Sequence, residues 1–428
     1  MLKLAVLADD LTGGMIIASK LEESGVVCPL VTDVSQLADM ATPPTALVLA
    51  RKIRFIPAQA AQEEARCAAE AFKRLGAATI YYKYSALFDS TDAGNIGPVA
   101  ESLLDATGAT RTLFCPAYID RGVTVYKGHL FVHSTLASDT YKRFDPVSPA
   151  LTSDVVTRLR AQTGRKVDLL DHQMLADDAP GRDAFADKAA CPFWVADAID
   201  AADVARIASI ARDWALVTGG DSLPPAIIME HRGDAPRERG SGSRLLAGTP
   251  GHEAVLAGSC GQNTIQQLDA FAERHPVWRI DLARDGDNGT LVKEIGDWAA
   301  AHLPGGPIAV ATTADPDGVA AAQARYGREG ASMRADRLMA AVAVALRGLG
   351  VRKFAIAGGE TSGAILTALG ARRLEVAGYD QQLYGGYCLN REDIPTSFVL
   401  KPGGMGADDF FFSALERMRA AERDAIAA

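Results

Sequence analysis

The sequence predicts an α/β protein with two domains, each containing a largely parallel sheet flanked by helices, and three observations lead to this fold class. The chain has 428 residues, more than one ordinary hydrophobic core accommodates. Short apolar segments alternate with helical patterns, which is typical of βαβ units. A segment rich in Gly, Pro, Ser and Arg divides the chain. We therefore predict a first domain at 1–235, a linker at 236–250 and a second domain at 251–428.

The first half contains six apolar segments that have the length of β-strands. Two of the intervening segments, 58–76 and 92–108, carry helix-forming residues with apolar spacing near 3.6, and each ends at glycine. The apolar segments are LKLAVLA (2–8), ALVLA (46–50), TIYYK (79–83), RTLFCP (111–116), KVDLLD (166–171) and WALVTGG (214–220).

The same alternation resumes after the divide, which predicts a second parallel sheet. A long helix pattern occupies 333–350 and comes directly before one of the strands. The predicted strands are EAVLAGS (253–259), VWRID (277–281), PIAVATT (307–313), KFAIAGG (353–359) and SFVLKPG (397–403).

Composition and charge narrow the function classes. The net charge of −9 disfavours nucleic acid and anionic membranes as partners. Six scattered cysteines without CxxC spacing favour reduced thiols in a cytoplasmic protein. The N-terminal apolar segment is too short for a signal peptide, and no segment approaches the roughly 18 apolar residues of a membrane span. His129 and His133 lie in a strand pattern, which disfavours a metal site there.

Polar side chains follow the strands of the first domain, where ligands of open α/β sheets bind. Asp9, Asp10 and Thr12 follow the first strand, and cations follow the second, at 51–54. A third group begins with the last residue of TIYYK and comprises Lys83, Asp89, Ser90, Thr91 and Asn95. Helix capping and solvated surface cations are the alternatives for each group taken alone. Together they suit a small polyhydroxy anion, with cations for its carboxylate and aspartates for its hydroxyls.

Three small-residue loops follow strands of the second domain: AGSCGQNT (257–264), AGGETSGA (357–364) and KPGGMGADDF (401–410). Backbone N–H groups at a helix N-terminus, unobstructed where glycine removes side-chain bulk, bind anions. One such loop is more often a tight turn, but three in one domain favour a polyphosphate ligand. The central loop, with Gly358, Gly359, Thr361, Ser362 and Gly363, is the main candidate.

Common phosphate-binding signatures are absent from the sequence. It contains no G-x-x-x-x-G-K-[ST] motif, and the protein-kinase glycine loop with its H-R-D and D-F-G partners does not occur. GGMGAD lies too near the C-terminus for a dinucleotide-binding unit. The residues alone therefore indicate a phosphorylated ligand in the second domain and a small acid in the first.

Six short motifs occur in an order that resembles the four-carbon acid sugar kinase family, which includes 3-oxo-tetronate, threonate and erythronate kinases. The resemblance spans nearly the whole chain, and GNIGPV and GHLFV resemble the 3-oxo-tetronate branch. The motifs are ADDLTG (8–13), FDSTDAGNIGPV (88–99), VYKGHLFV (125–132), VLAGSC (255–260), AGGETSGA (357–364) and LKPGGMG (400–406).

The resemblance implies that the first domain binds the acid sugar and the second binds ATP, with Mg²⁺ assisting transfer to a terminal hydroxyl. Asp10 or Asp89 is then expected to orient or deprotonate that hydroxyl. The resemblance and the strand-end patterns together indicate the candidate substrate-binding residues, which are Asp9, Arg54, Lys83, Ser90 and Thr91. The candidate nucleotide-binding residues are Ser259, Ala357, Gly358, Gly359, Glu360, Thr361, Ser362, Gly403 and Gly404.

Departures from the family pattern concentrate in the acid-binding domain. They include Ile16, Leu87, Val123 and Asp145, where the family usually has an acid, a small hydroxyl residue, an arginine and a histidine. These changes predict a remodelled substrate pocket. The alternative is a relative that retains nucleotide binding and acts as a sugar-acid sensor. The expected partner is a small anionic sugar acid, and the oligomeric state stays open, with a homodimer as the candidate.

Overall fold

The computed structural model describes residues 1–38, 40–145, 147–175, 191–238, 241–242, 245–258, 260–284, 287–383, 385–402 and 406–427. Two compact units make up the chain. The first comprises Met1–Ile17 and Ser24–Arg239, and the second comprises Ala18–Glu23 and Gly240–Ala428.

The first unit contains, within the described residues, a sheet of eight strands that all pair in parallel. Their order is β2-β3-β1-β4-β11-β5-β10-β9. The strands are β1 (Leu4–Ala8), β2 (Leu30–Val31), β3 (Ala46–Ala50), β4 (Thr79–Lys83), β5 (Thr112–Cys115), β9 (Val167–Leu170), β10 (Phe193–Ala196) and β11 (Leu216–Gly219). A separate antiparallel sheet contains β6 (Val123–Tyr126), β7 (His129–Val132) and β8 (Thr135–Leu136).

Helices connect these strands, and several begin or end at residue types that favour helix termini. Asp154 and Asp200 accept the N–H groups of Thr157 and Asp203 as N-caps, and Gly108 ends α4 with a φ of 70°. The helices are α1 (Leu11–Glu23), α2 (Ser35–Ala38), α3 (Ala58–Arg74), α4 (Ile96–Thr107), α5 (Val155–Gln162), α6 (Ala201–Ala211) and α7 (Leu223–Arg232).

The second unit contains a seven-stranded sheet in its described part, in the order β13-β14-β12-β15-β18-β17-β16. The first five strands pair in parallel, and β17 pairs antiparallel with both of its neighbours. The strands are β12 (His252–Ala257), β13 (Val277–Arg279), β14 (Ile308–Ala311), β15 (Val351–Ala357), β16 (Arg373–Val376), β17 (Tyr387–Asn390) and β18 (Thr396–Lys401).

A buried core covers this sheet, including residues from β12, β15 and the last helix. The long helix predicted from residue 333 begins earlier, at Pro316 after an Asp315 N-cap, and Gly327 breaks it with a φ of 70°. The helices are α8 (Gln262–Ala272), α9 (Asn288–His302), α10 (Pro316–Gly348), α11 (Gly359–Ala368) and α12 (Phe410–Ala427).

The predicted fold class is confirmed: both units are α/β with largely parallel sheets. The strand pattern around His129 is β7, whereas sequence patterns missed β2, β6, β8, β10, β16 and β17. These strands have two to four residues, too few for a periodic pattern to stand out. The predicted boundaries at 235, 236–250 and 251 remain a proposal.

Candidate active site

Parallel pairing aligns the carboxyl ends of the first unit's central strands. Ala8, the last residue of β1, pairs with Ala50 of β3 and Lys83 of β4, and Gly219 of β11 also pairs with Lys83. The residues that follow these strands therefore meet at one edge of the sheet. This edge carries most of the polar residues that the sequence singles out.

Arg54 binds both aspartates of the first strand-end motif. Its Nε lies 2.7 Å from Asp9 Oδ2 and its Nη2 lies 2.7 Å from Asp9 Oδ1. Nη2 also lies 2.9 Å from Asp10 Oδ1. Burial raises the pKa of Asp9 while Arg54 opposes that rise. Burial also disfavours the charge of Arg54, but Asp10 and Asp9 raise the Arg54 pKa well above its ordinary value. The guanidinium is therefore a permanent cation shared by two carboxylates.

Lys83 lies beneath the same motif and is only 2% exposed. Its Nζ donates to the carbonyl of Tyr84 at 2.8 Å and lies 3.4 Å from Asp221 Oδ2. Gly13 makes this packing feasible, because a β-carbon there would lie 2.5 Å from Asp10 Oδ1 and 3.1 Å from Lys83 Nζ. The glycine of the ADDLTG motif thus permits Asp10 and Lys83 each to approach the helix backbone at Gly13.

Asp89, the other candidate base, is held through both carboxylate oxygens. Lys142 Nζ lies 2.6 Å from Oδ1, and Ser85 Oγ donates to Oδ2 at 2.6 Å. Lys142 also contacts Asp145 Oδ2 at 2.7 Å. Burial opposes the charge of Lys142, but Asp89 and Asp145 raise its pKa. Sequence reasoning missed Lys142, and the only signal was the unusual Asp145 three residues later.

Ser90 and Thr91 contact the protein scaffold. Gln162 Nε2 donates to Ser90 Oγ at 2.8 Å and to the Thr91 carbonyl at 2.6 Å. Asn95 Nδ2 donates to the carbonyl of Ile53 at 2.7 Å and so fixes the segment that carries Arg54. Ser90 is buried and Thr91 is exposed. Their assignment as substrate-binding residues remains a prediction.

Three buried hydroxyls of this unit have no hydrogen-bond partner among the described residues. One is Ser148 Oγ, and the two that belong to or adjoin the strand-end residues are Thr12 Oγ1 and Tyr82 OH. Thr12 belongs to the ADDLTG motif, and Tyr82 immediately precedes Lys83. An unsatisfied buried hydroxyl costs about 1–3 kcal/mol. Ligand hydroxyls or water can satisfy both groups, which is what a polyhydroxy substrate offers.

In the second unit, the AGGETSGA motif forms a strand-to-helix turn. Ala357 is the buried last residue of β15, and Gly358 adopts φ 115° and ψ 124° before α11 begins at Gly359. Ser362 Oγ donates to the Gly358 carbonyl at 2.7 Å, and the Ser362 N–H donates to it at 2.9 Å. The first N–H groups of α11 remain outside the helical bonding pattern, and they form an anion-binding geometry.

Two of the three small-residue loops of this unit, those at 257–264 and 357–364, approach each other closely. A β-carbon at Gly258 would lie 2.1 Å from Thr361 Oγ1, so only glycine fits. Thr361 Oγ1 donates to Asp336 Oδ1 at 3.3 Å. Glu360 is exposed, and its Oε2 accepts a hydrogen bond from Ser332 Oγ at 3.3 Å. The structure therefore brings the 258 and 358–362 segments together.

Three predicted nucleotide-binding residues, Ser259, Gly403 and Gly404, lie outside the described residues. Next to them, Asn263 Nδ2 and Gln267 Nε2 donate to the Gly406 carbonyl at 3.0 and 3.1 Å. Lys401, the buried last residue of β18, lies within the quoted LKPGGMG motif.

In the part of the chain that the structure describes, no helix is both long and apolar enough to cross a membrane. All six cysteines are free thiols. No group of three or more His, Cys, Asp or Glu side chains among the described residues is arranged to hold a metal ion.

Two family models match the chain. Residues 4–227 match a sugar-binding N-terminal domain, and residues 254–411 match a nucleotide-binding C-terminal domain. Each model covers one of the two groups of site residues described above.

Similar proteins cover nearly the whole chain. A 3-oxo-tetronate kinase of Burkholderia multivorans is 36% identical over 97% of both chains, and that of Cupriavidus necator is 34% identical, also over 97% of both. A solved Salmonella typhimurium LT2 protein, provisionally described as a tRNA synthase, shares 30% identity and a TM-score of 0.80, covering 97% of this chain and 99% of its own. Haemophilus influenzae protein HI1011 shares 29% identity and a TM-score of 0.75, covering 98% and 100%. This chain therefore belongs to the four-carbon acid sugar kinase family.

Proposed function

We propose that the chain transfers the terminal phosphoryl group of ATP to the terminal hydroxyl of a four-carbon sugar acid of the 3-oxo-tetronate type. Support comes from the names of the full-length relatives and from the two family models. The observation that carries the proposal is the paired arrangement of acids and cations at the strand ends of the first unit. Asp9, Asp10 and Asp89 lie there beside Arg54 and Lys142.

Asp10 is the better candidate for the base. Asp89 uses both carboxylate oxygens, one for Lys142 and one for Ser85. Asp10 uses Oδ1 for the Gly13 N–H at 2.9 Å and for Arg54, and its side chain is 24% exposed. Asp10 Oδ2 is the carboxylate oxygen best able to accept a substrate hydroxyl. Asp89 then orients substrate through a carboxylate fixed by Lys142.

The turn around Gly358 is the proposed phosphate site of the nucleotide, with Thr361 and Glu360 at the start of α11. Proteins commonly hold Mg²⁺ by one or two carboxylates together with the phosphates of the nucleotide. Asp336, which accepts the hydroxyl of Thr361, provides such a carboxylate. The ion would neutralise charge on the transferred phosphate.

We infer that the acid pocket differs from that of typical relatives. Ile16 and Val123 are buried and Leu87 is partly buried, so apolar side chains replace polar ones inside the domain. Asp145 binds Lys142, which in turn binds Asp89. One departure from the family pattern is therefore linked directly to a candidate catalytic group.

The decisive experiment measures ADP release from ATP and Mg²⁺ in a coupled assay, across four- to six-carbon aldonic and oxo-acids. Turnover on 3-oxo-tetronate supports the proposal in full. Turnover confined to another acid supports a kinase but rules out 3-oxo-tetronate as its substrate.

The second candidate function is a nucleotide-dependent sensor, which is motivated by the apolar replacements. Stabilisation of the protein by ATP without turnover on any acid would favour this function. Gel filtration with light scattering tests the candidate homodimer, and cell fractionation tests the cytoplasmic location.

A further inference from the structure

Arg158 is a buried cation beside the candidate active site of the first unit. It lies in α5, is only 5% exposed, and donates from Nη2 to the carbonyl of Ser90. Its guanidinium carbon lies 5.4 Å from the centroid of the Phe88 ring. Asp89, which lies between these two residues in the chain, is one of the two candidate bases. Arg158 therefore contacts both chain neighbours of a candidate catalytic group.

The guanidinium of Arg158 uses few of its five N–H groups. In the described part of the chain, the Ser90 carbonyl is its hydrogen-bond acceptor, and no carboxylate lies within ion-pair distance. A buried charge is unfavourable unless it is paired, and a guanidinium can present two parallel N–H groups to a carboxylate. A carboxylate ligand at this position would therefore compensate the burial of Arg158.

Three other cations at this edge of the sheet are already held by acids. The pairs are Arg54 with Asp9 and Asp10, Lys83 with Asp221, and Lys142 with Asp89 and Asp145. Five aspartates thus share three cations, and the excess negative charge opposes the approach of an anionic substrate. Arg158 provides the positive charge that these pairs do not supply.

Asp89 links Arg158 electrostatically to the Arg54 cluster. Burial lowers the pKa of Arg158, and the negative charge of Asp89 opposes that change. Burial also disfavours the charge of Arg54, whereas aspartates that include Asp89 raise the pKa of Arg54. One carboxylate therefore interacts with both guanidinium groups, and a small acid bound beside it is within electrostatic range of both.

The surroundings of Asp89 show two further signs of a binding site. Phe88 has a φ of 52°, a strained conformation for a residue other than glycine. Ser148 is 2% exposed, and its Oγ has no hydrogen-bond partner among the described residues. The N–H of Ser148 donates to Asp145, which binds Lys142. Strained backbone and unsatisfied buried hydroxyls are both typical of ligand sites.

We propose that Arg158 binds the carboxylate of the sugar acid through its guanidinium group. This inference rests on the part of the proposed function that assigns a sugar acid to the first unit. The rival explanation is a purely structural role, in which Arg158 packs on Phe88 and holds the carbonyl of Ser90. The two explanations differ in whether the charge at position 158 or the hydrogen bond to Ser90 determines the affinity for the acid.

The test is calorimetry with the full chain. Titration of the four- to six-carbon acids identifies the acid that the wild-type protein binds most tightly, and this acid is then titrated into R158M, R158Q and R158K. We expect R158M and R158Q to weaken acid binding by about ten- to a hundredfold, the loss of one charge-assisted contact. R158K keeps the charge and should lose less than about tenfold. ATP binding should stay unchanged in all three variants.

R160M is the matched control from the same helix. Arg160 also donates from Nη2 to a backbone carbonyl, that of Val167 at 2.8 Å, but its side chain is exposed. This variant should bind the acid as tightly as the wild-type protein. R158Q and R158K provide the comparison if R158M does not fold, because R158Q retains a donor for the Ser90 carbonyl without the charge.

The outcomes separate this inference from the kinase proposal. Equal acid affinity in wild type and R158M, or a loss in R158K as large as that in R158Q, would overturn the role of Arg158 and leave the kinase proposal intact. Weakened binding in R158M and R158Q, in a protein that turns over none of the acids, would support Arg158 and overturn the kinase proposal. A wild-type protein that binds none of the acids would overturn both.

Discussion

Arg54 donates two hydrogen bonds of 2.7 Å to the carboxylate of Asp9, and Asp9 is only 1% exposed. The same guanidinium reaches Asp10 at 2.9 Å. Arg54 therefore neutralises two adjacent carboxylates and fixes their orientation before any substrate arrives. The assignment of Arg54 as a substrate-binding residue stays a prediction, and its contacts give it a further role in positioning Asp9 and Asp10.

The first prediction concerns stability. R54M leaves Asp9 buried without its partner, so the free energy of unfolding should fall by about 3–5 kcal/mol. Urea denaturation measures this free energy of unfolding. The control is R279M, which removes an exposed pair, Arg279 Nη2 to Asp269 Oδ1 at 2.6 Å, and should cost less than about 1 kcal/mol. Similar losses in both variants would show that burial does not set the strength of the Arg54 pair.

The second prediction separates the two candidate bases. D10N should lower kcat by about 10²–10⁴-fold, the usual contribution of a general base, with little change in the KM for ATP. D89N should mainly raise the KM for the acid, because Asp89 is already committed to Lys142 and Ser85. Steady-state kinetics of both variants, with the sugar acid that the wild-type protein turns over fastest, distinguish the two roles. A larger kcat loss in D89N would reverse the assignment.

The third prediction tests the glycine turn. Gly358 has a φ of 115°, which L-residues rarely adopt, so G358A should strain the turn by about 1–3 kcal/mol and weaken ATP binding. G363A is the control from the same motif. The sequence groups Gly363 with the candidate phosphate loop, but the structure places it inside α11 with open space around its Cβ position. Alanine there should therefore keep ATP affinity and stabilise the helix by about 0.5–1 kcal/mol. Unchanged ATP affinity in G358A would argue against a phosphate site there.

The fourth prediction concerns pH. Burial alone would raise the pKa of Asp145, but Lys142 and the N–H groups of Ser148 and Val147 lower it to about 2. A depressed folded-state pKa stabilises the protein above the unfolded value of 3.8, and that stabilisation disappears as pH falls towards 2.

D145N retains an oxygen that can accept both N–H groups but removes the charge. It should therefore be less stable than wild type by about 1–2 kcal/mol at pH 6, and the difference should vanish between pH 4 and pH 2. Urea denaturation at several pH values measures this. A difference that stays constant over that range would mean that the Asp145 charge contributes nothing.

Much of the candidate site could be predicted from strand ends. Asp9 and Asp10 follow one apolar segment and Lys83 ends another, and parallel pairing brings the ends of these strands to one edge of the sheet. Their proximity therefore follows from the fold class. The positive φ of Gly358 and the steric need for Gly258 agree with the glycine clusters in the sequence. Pattern reasoning works here because the functional residues are tied to strand termini.

The sequence by itself determined the α/β class, the family and the motifs that hold the acids and the glycine turns, because these depend on local periodicity and on residues close together in the chain. Only the tertiary structure decided which charges meet. Lys142 contacts Asp89 across 52 intervening residues, and Lys401 contacts Thr264 across more than a hundred. Such pairings depend on the register of strands and the path of loops, and the free energy that fixes them comes from burial over the whole domain rather than from any single segment.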